Sequence, residues 1–249
     1  LERNVHLADR VRVGSGSILG GDPQDLKYRG EETSVEIGED SVIREYATIN
    51  RGTSQSFRTT VGRGSFIMSY VHLAHDCHVG DSVIISNGTQ LAGHVTVEDK
   101  AIISGLTAVH QFVRIGSLAM IGGLARVSKD VPPFMLIEGN STVRGINAIG
   151  LRRAGFSLEE RTKVKEAYRT LYRTGLNVPQ ALDALEEDAA RHPLADPRRA
   201  AAGARVHRLP RVDDRRDADD GLHPVRRLRV RLPVDGGRPA LHRPGRARQ

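Results

Sequence analysis

Residues 61–97, VGRGSFIMSYVHLAHDCHVGDSVIISNGTQLAGHVTV, place an aliphatic side chain at Val61, Ile67, Leu73, Val79, Ile85, Leu91 and Val97, a gap of six each time. An amphipathic helix repeats at about 3.6 residues and a half-buried strand at about 2, so neither accounts for the spacing. The beat extends outward in both directions. It runs back through Ile49, Ile43, Ile37, Leu19, Val13 and Leu7, and forward through Ile103, Val109, Ile115, Ile121 and Val127. Every gap is six or a multiple of six. Two residues before the aliphatic stands a small or β-branched residue, as at Val35, Val71, Cys77, Val83, Val95 and Ala101. Gly often follows it, as at Gly14, Gly38, Gly62, Gly80, Gly116 and Gly122.

This is the hexapeptide signature of a parallel β-helix. Each hexad supplies one short strand and one turn, and three hexads, about 18 residues, close a triangular coil. The aliphatic points inward, and Gly or a small polar residue is expected at the tight turn. Coils stack about 4.8 Å apart through strand hydrogen bonds, and each buries its interior against its neighbours. An aromatic content of 4% suits so narrow an interior. The fold class expected is mainly β, a parallel β-helix over residues 1–130. Two polar breaks, 20–34 and 53–60, read as insertion loops, and loops on a rigid rod are where function concentrates. The beat stops at the turn DVPPF, 130–134. Ser157 with Glu160 forms a capping box and Gly175 a helix end. The spacing predicts helices over 158–174 and 178–191, hence a linker and small α-helical domain over 131–192.

The formal charge of +7 is unevenly placed. Residues 193–249 hold 15 Arg against 7 Asp, a net +8, so residues 1–192 carry −1. No basic face for nucleic acid is expected on that main part. The tail 193–249 uses nine residue types, all encodable by GC-rich codons, and is read as disordered or frameshifted. Cys77 is the lone cysteine, which excludes a disulfide framework and makes the cytoplasm the default. No apolar run of about 18 residues suggests a membrane span. The start, LERNVHLADR, lacks both a signal-peptide pattern and an initiating Met, and is expected to be a piece without its natural beginning.

Stacking turns the sequence into a surface map. A step of about 18 residues sets His75 under Gly93, Asp76 under His94, Ala92 under His110 and Gly93 under Gln111. With His72 on the strand entering the same turn, these polar groups gather at one corner. A metal needs ligands converging from several directions. Cys77 falls in the inward slot and aligned residues converge poorly, so no metal is expected. His78 reads as a generic polar turn residue. His75, Asp76, His94 and His110 suit acyl transfer. A neutral imidazole takes a proton from an attacking hydroxyl, Asp76 favours the imidazolium, and the Gly93 N–H meets the oxyanion.

QDLKY (24–28), IREYATINRGT (43–53), HLAHDCHVG (72–80), LAGHV (91–95), GLTAVHQF (105–112) and DVPPF (130–134) together resemble the UDP-N-acetylglucosamine acyltransferase family, within the hexapeptide acyltransferases. The resemblance covers about residues 5–180. It implies a left-handed β-helix and transfer of an R-3-hydroxyacyl chain from acyl carrier protein to the 3-hydroxyl of UDP-N-acetylglucosamine, the first step of lipid A synthesis. It implies His75 as general base, Asp76 as its partner and Gly93 as oxyanion donor. Substrate contacts are implied for Gln24, Asp25, Lys27, His72, His94, His110 and Gln111, and INAIGLRRAGFS (146–157) adds Asn147 and Arg153 at the nucleotide end. Where the family often carries a second Arg this chain has Ala154. No cofactor is implied beyond the phosphopantetheine of acyl carrier protein. The family is a homotrimer with clefts between rods, with no nucleic-acid partner and no integral membrane contact. Three alternatives stay open: the related N-acyltransferase of the same pathway, a metal-binding β-helix outside the acyltransferases, and, only if the 193–249 tail is genuine, a basic nucleic-acid binder.

Overall fold

The computed structural model describes residues 1–191 and the strand Arg211–Val212, with side chains described as far as Glu187. The expectation for the 193–249 tail therefore lies outside the described residues, apart from that strand.

The hexads form strands of two to four residues that stack in three parallel sheets, the faces of a left-handed β-helix. The first face stacks Val5–Leu7, Ser34–Ile37, Arg58–Val61, His78–Val79, Thr96–Val97 and Arg114–Ile115. The second begins Arg12–Val13, Val42–Ile43, Phe66–Ile67, Ile84–Ile85, Ile102–Ile103 and Met120–Ile121. The third stacks Ile18–Gly21, Thr48–Asn50, His72–Leu73, Gln90–Leu91, Ala108–Val109 and Arg126–Val127. From Leu19 onward the metronomic aliphatics meet inside, whereas Leu7 and Val13, expected to point inward, are exposed because the first coil has no neighbour stacked on its outer side. Leu73, Ile85, Leu91 and Ile103 are wholly buried, as are the small-slot residues Val71, Cys77, Val83 and Val95. Each buried aliphatic contributes about 1.5–3 kcal/mol, which is how a rod without a globular centre holds together.

Coil length explains why the beat survives the two polar breaks. From Thr60 to Val109 the partner of a strand residue lies 18 further on, as in Leu73↔Leu91 and Leu91↔Val109, and Met120 and Ile121 then pair at a step of 16. Val35 pairs with Thr59 at a step of 24, and Val5 with Val35 at a step of 30. The extra residues are whole hexads, so phase is kept. The loops are shorter than the polar stretches. Gly20, Gly21 and Ser34 belong to strands, as do Arg58, Thr59 and Thr60, because their backbones continue the ladders of adjacent coils.

The glycines do not do what the sequence reading gave them. Gly38, Gly62 and Gly116 are absent from the left-handed positions, which fall two residues later and are held by Asp40, Gly64 and Leu118. The glycines serve clearance. A Cβ on Gly38 would lie 2.5 Å from the Arg63 nitrogen, and one on Gly116 2.4 Å from the Pro133 nitrogen. The next coil passes too close for a side chain.

Parallel pairing also runs past residue 130. Met135–Glu138 pairs parallel with Met120–Ile121, and Thr142–Ile146 folds back antiparallel upon it. Val131, Met135, Ile137 and Val143 carry the buried core onward without the hexad beat. Among the described residues three helices follow: α1 (Ala148–Arg153), α2 (Leu158–Arg173) and α3 (Val178–Arg191). The α2 capping box is complete, with Ser157 Oγ accepting from the Glu160 N–H and Glu160 accepting from the Ser157 N–H. Tyr168 of α2 is buried against the end of the core.

Candidate active site

Both long coils bulge at the same corner. The chain leaves the third face at Gly21 and rejoins the first at Ser34, then leaves at Asn50 and rejoins at Arg58. In the next coils this third-to-first corner is turned by Asp76, His94 and Phe112, all in the left-handed region with φ of 59°, 63° and 63°. The two loops and this column of corner residues form the walls of the site.

His75 and Asp76 are its centre. His75 Nδ1 lies 2.8 Å from Asp76 Oδ2. Asp76 is almost wholly buried and is gripped by the second loop. The Thr53 N–H donates to Oδ1 at 2.9 Å and the Thr53 hydroxyl to Oδ2 at 2.7 Å, while the Ser56 hydroxyl donates to Oδ1. Burial alone would raise this carboxyl, but the bonds from Ser56, His75 and Thr53 hold it down to about 2. An ionised Asp76 accepts from Nδ1–H and so leaves Nε2 of His75 as the proton acceptor. That end of the ring lies on Gly93, where a Cβ would come 2.6 Å from Cε1 and 2.7 Å from Nε2. Glycine is required there for the imidazole to occupy its place. Among the described residues the Gly93 N–H has no acceptor.

His94 completes the cluster. Its N–H donates to the His75 carbonyl at 3.0 Å, and its ring meets that of His75 edge-on at 4.9 Å. Phe112 stacks on the other side at 4.4 Å and 1°. Burial lowers the His94 pKa, against the opposing charge of Asp76. His72 stands on the outer side of its strand, with Nδ1 2.7 Å from the Thr48 hydroxyl, and burial lowers it too. His110 and Gln111 sit exposed one coil further, with His110 Nδ1 3.1 Å from the Gln111 carbonyl. On the first loop, Gln24 and Lys27 are exposed and Asp25 is half-buried. Asp25 lies near enough to His94 for its charge to be felt there, so the loop reaches this corner.

Asn147 and Arg153 stand elsewhere. Asn147 is the N-cap of α1, accepting from the Gly150 N–H at 2.9 Å while its Nδ2 donates to the Leu118 carbonyl at 2.9 Å. Leu118 turns the first-to-second corner, so one chain does not bring Asn147 to His75. His78 is not a turn residue. It lies on a strand of the first face with Nδ1 3.1 Å from the Thr60 hydroxyl, because it follows the inward Cys77 and so faces out. Cys77 is core, its thiol pushed up to about 12 by burial.

The sequence reading missed Thr53 and Ser56, since a loop of extra residues has no stacking rule. It also passed over Phe112, whose step of 18 from His94 was the available signal. One ligand atom from each of His75, Asp76 and His94 lies within 4.8 Å of the others, close enough to bind a metal. The carboxylate is already saturated, however. Its two oxygens offer about four lone-pair sites, and Thr53, Ser56 and His75 fill them.

A hexad-built rod carrying a histidine–aspartate pair beside a glycine, on a corner flanked by loops, defines a hexapeptide acyltransferase. Residues 58–93 match the bacterial transferase hexapeptide (six repeats) model, and residues 130–198 match domain 2 of UDP-N-acetylglucosamine O-acyltransferase. The acyl-[acyl-carrier-protein]–UDP-N-acetylglucosamine O-acyltransferase of Gloeothece citriformis (strain PCC 7424) is 51% identical over 70% of this chain and 64% of its own length. That of Verminephrobacter eiseniae (strain EF01-2) is 50% identical over 78% of this chain and 75% of its own. The crystal structure of the Bacteroides fragilis UDP-N-acetylglucosamine acyltransferase superposes with a TM-score of 0.69 at 42% identity, covering 74% of this chain and 75% of that one. The chain belongs to the acyl-[acyl-carrier-protein]–UDP-N-acetylglucosamine O-acyltransferase family. It spans 64% of the length of the G. citriformis relative.

Proposed function

We propose that this chain transfers an R-3-hydroxyacyl group from acyl carrier protein to the 3-hydroxyl of UDP-N-acetylglucosamine, the first step of lipid A synthesis. The observation that carries the reading is the His75 ring, pinned by Asp76 at Nδ1 and laid across Gly93 at Nε2. Nε2 of His75 takes the proton of the sugar hydroxyl as its oxygen attacks the thioester carbonyl carbon. Asp76 stabilises the imidazolium that forms, and the Gly93 N–H donates to the developing oxyanion. Collapse breaks the C–S bond. The imidazolium returns its proton to the pantetheine sulfur, leaving an ester and a free thiol. No metal and no resident cofactor takes part, since the acyl group arrives on its own phosphopantetheine arm.

Gln24, Asp25, Lys27, His72, His94, His110 and Gln111 contact the sugar, the pyrophosphate or the acyl pantetheine in this reading. Asn147 and Arg153 serve the nucleotide from another copy, since they belong to a different corner of their own rod. A homotrimer supplies that wall. The second-to-third corner carries Tyr46 and Tyr70, stacked at 5.3 Å and 55% and 62% exposed, with Leu106 and Leu124 in line. An apolar stripe of this kind suits an interface between copies. Among the described residues no helix is long and apolar enough to cross a membrane. A cytoplasmic setting suits the unpaired Cys77 and the two soluble substrates, and no nucleic acid is involved.

The test is turnover of UDP-N-acetylglucosamine with 3-hydroxyacyl carrier protein. His75→Ala is expected to lose about 10²–10⁴-fold in kcat with an unchanged circular dichroism spectrum. Activity equal to the parent chain would exclude His75 as the base.

A further inference from the structure

The second loop does more than grip Asp76. Two residues before Thr53, the Arg51 side chain is 2% exposed although it carries a full charge. It turns away from the histidines and into the first loop. Its guanidinium donates to the Gly20 carbonyl, to Asp22 Oδ1 and, at 3.0 Å, to the Tyr28 hydroxyl. The Tyr28 hydroxyl in turn donates to the Glu31 carbonyl at 3.1 Å. The Arg51 N–H donates to the Gly21 carbonyl at 2.9 Å, and Asn50 Nδ2 donates to the Asp22 carbonyl at 2.7 Å. One side chain thus ties the stem of the loop to its far limb.

The stretch it spans carries Gln24, Asp25 and Lys27. Leu26 at its crest is 98% exposed and adds no apolar packing there, and Pro23 at its start is the buried apolar residue of the stretch. A buried cation with three acceptors in different directions takes over the work of a core. Lysine, a point charge, cannot reach all three with one rigid fork.

We propose that Arg51 is a positioning residue for the acceptor substrate: it fixes the loop that presents Gln24, Asp25 and Lys27, and it does so without touching the reacting atoms. This inference rests on the acyl-transfer reading for what the loop binds. The run from Asn50 to Ser56 then has two separate duties, holding the substrate loop through Arg51 and the catalytic carboxylate through Thr53 and Ser56. The two duties predict different kinetic signatures.

The experiment compares Arg51→Lys and Tyr28→Phe with the parent chain, varying UDP-N-acetylglucosamine and acyl carrier protein separately and following amide hydrogen exchange over residues 22–33. Tyr28→Phe leaves the buried cation in place, so it reports even if Arg51→Lys folds poorly. Arg51→Lys is expected to raise KM for the nucleotide sugar about tenfold and Tyr28→Phe about threefold, with kcat changed less than about threefold. Exchange in 22–33 should quicken while that around His75 stays put. Unchanged KM with unchanged exchange in both variants, or a fall in kcat alone, would overturn the proposal. If the parent chain does not turn over this substrate pair, the acyl-transfer reading falls. Faster loop exchange in the variants would still uphold the anchor, and unchanged exchange would overturn it.

Discussion

Asp40 and Asp76 occupy equivalent places on two corners of the same rod. Each stands three residues after a buried aliphatic, Ile37 and Leu73, and each turns the chain with φ of 59°. Their surroundings differ. Asp40 is exposed and pairs with Arg10, with Nε 2.6 Å from its Oδ1. Its pKa is lowered by that hydrogen bond, and a surface pair of this kind contributes little. Asp76 is covered by the 51–57 loop and receives its bonds from Thr53, Ser56 and His75. The hexad supplies the same bend at both corners. The corner proposed for the chemistry is the one where extra residues bury the carboxylate and bring donors to it.

Two glycines test that contrast most strongly. Gly93→Ala puts a Cβ against a ring that Asp76 will not release, so the imidazole must shift by a large fraction of an ångström. About 10²-fold of kcat should be lost, since misplacement of a catalytic group by about 1 Å costs that much. Gly64→Ala sits on the Asp40 corner with φ of 63° and its nearest neighbour 3.6 Å away. It should cost about 1 kcal/mol of stability through backbone strain alone and leave turnover intact. Turnover assays and urea unfolding on both variants would show the pattern. Full activity in Gly93→Ala would mean that His75 does not depend on that clearance.

The pairing of His75 with Gly93 and of Asp76 with His94 was legible because the hexad beat fixes a step of 18 from Thr60 to Val109. From Leu19 onward the buried set was legible for the same reason, down to Cys77 as an inward residue, but the beat gave no sign that Leu7 and Val13 of the first coil would be exposed. The beat says nothing about residues inserted between coils. Thr53, Ser56 and Arg51 act across steps of 23, 20 and 29 residues, on Asp76, Asp76 and Asp22, and no period marks them. The corner dihedral was misassigned because glycine suggests both positive φ and close approach, and only coordinates separate the two. The α1 helix is six residues long, too short for a periodic signal, although Asn147 four residues before Leu151 was a cap in waiting.

Acid should separate the two corners next. Asp76 folds with its carboxyl at about 2 against an ordinary 3.8, so it stabilises the protein above the ordinary value. That contribution, on the order of 2 kcal/mol, is lost as pH falls from about 4 toward 2. Burial holds His72 and His94 below 6.5. The unfolded chain therefore takes up their protons first, and stability begins to fall as pH drops below 6.5. Urea unfolding at descending pH should show both losses in the parent chain, with the earlier one reduced in His72→Asn/His94→Asn and its remainder carried by His78, which burial also lowers. Replacing Asp40 by Asn should leave both stages in place. A parent profile flat down to pH 4.5 would show that the two imidazoles are not buried neutral.

The smallest effect concerns how the proposed catalytic corner tolerates its own dihedral. Phe112 and Lys100 both sit at positive φ, 63° and 59°, where a side chain costs about 1 kcal/mol relative to glycine. Lys100 projects from the Asp40 corner. Phe112 is 60% exposed yet lies flat on His94. Replacing each by glycine removes the same strain and adds the same backbone freedom to the unfolded chain, so those terms cancel between the two variants. The residue is the ring stack, about 0.5–1.5 kcal/mol for a well-placed aromatic pair and toward the lower figure for one so exposed. Phe112→Gly should therefore be the less stable variant by about 0.5 kcal/mol, read as a shift in urea midpoint at constant slope. If the two variants unfold together, the stack holds nothing, and His94 owes its orientation to its own backbone and to Asp76 alone.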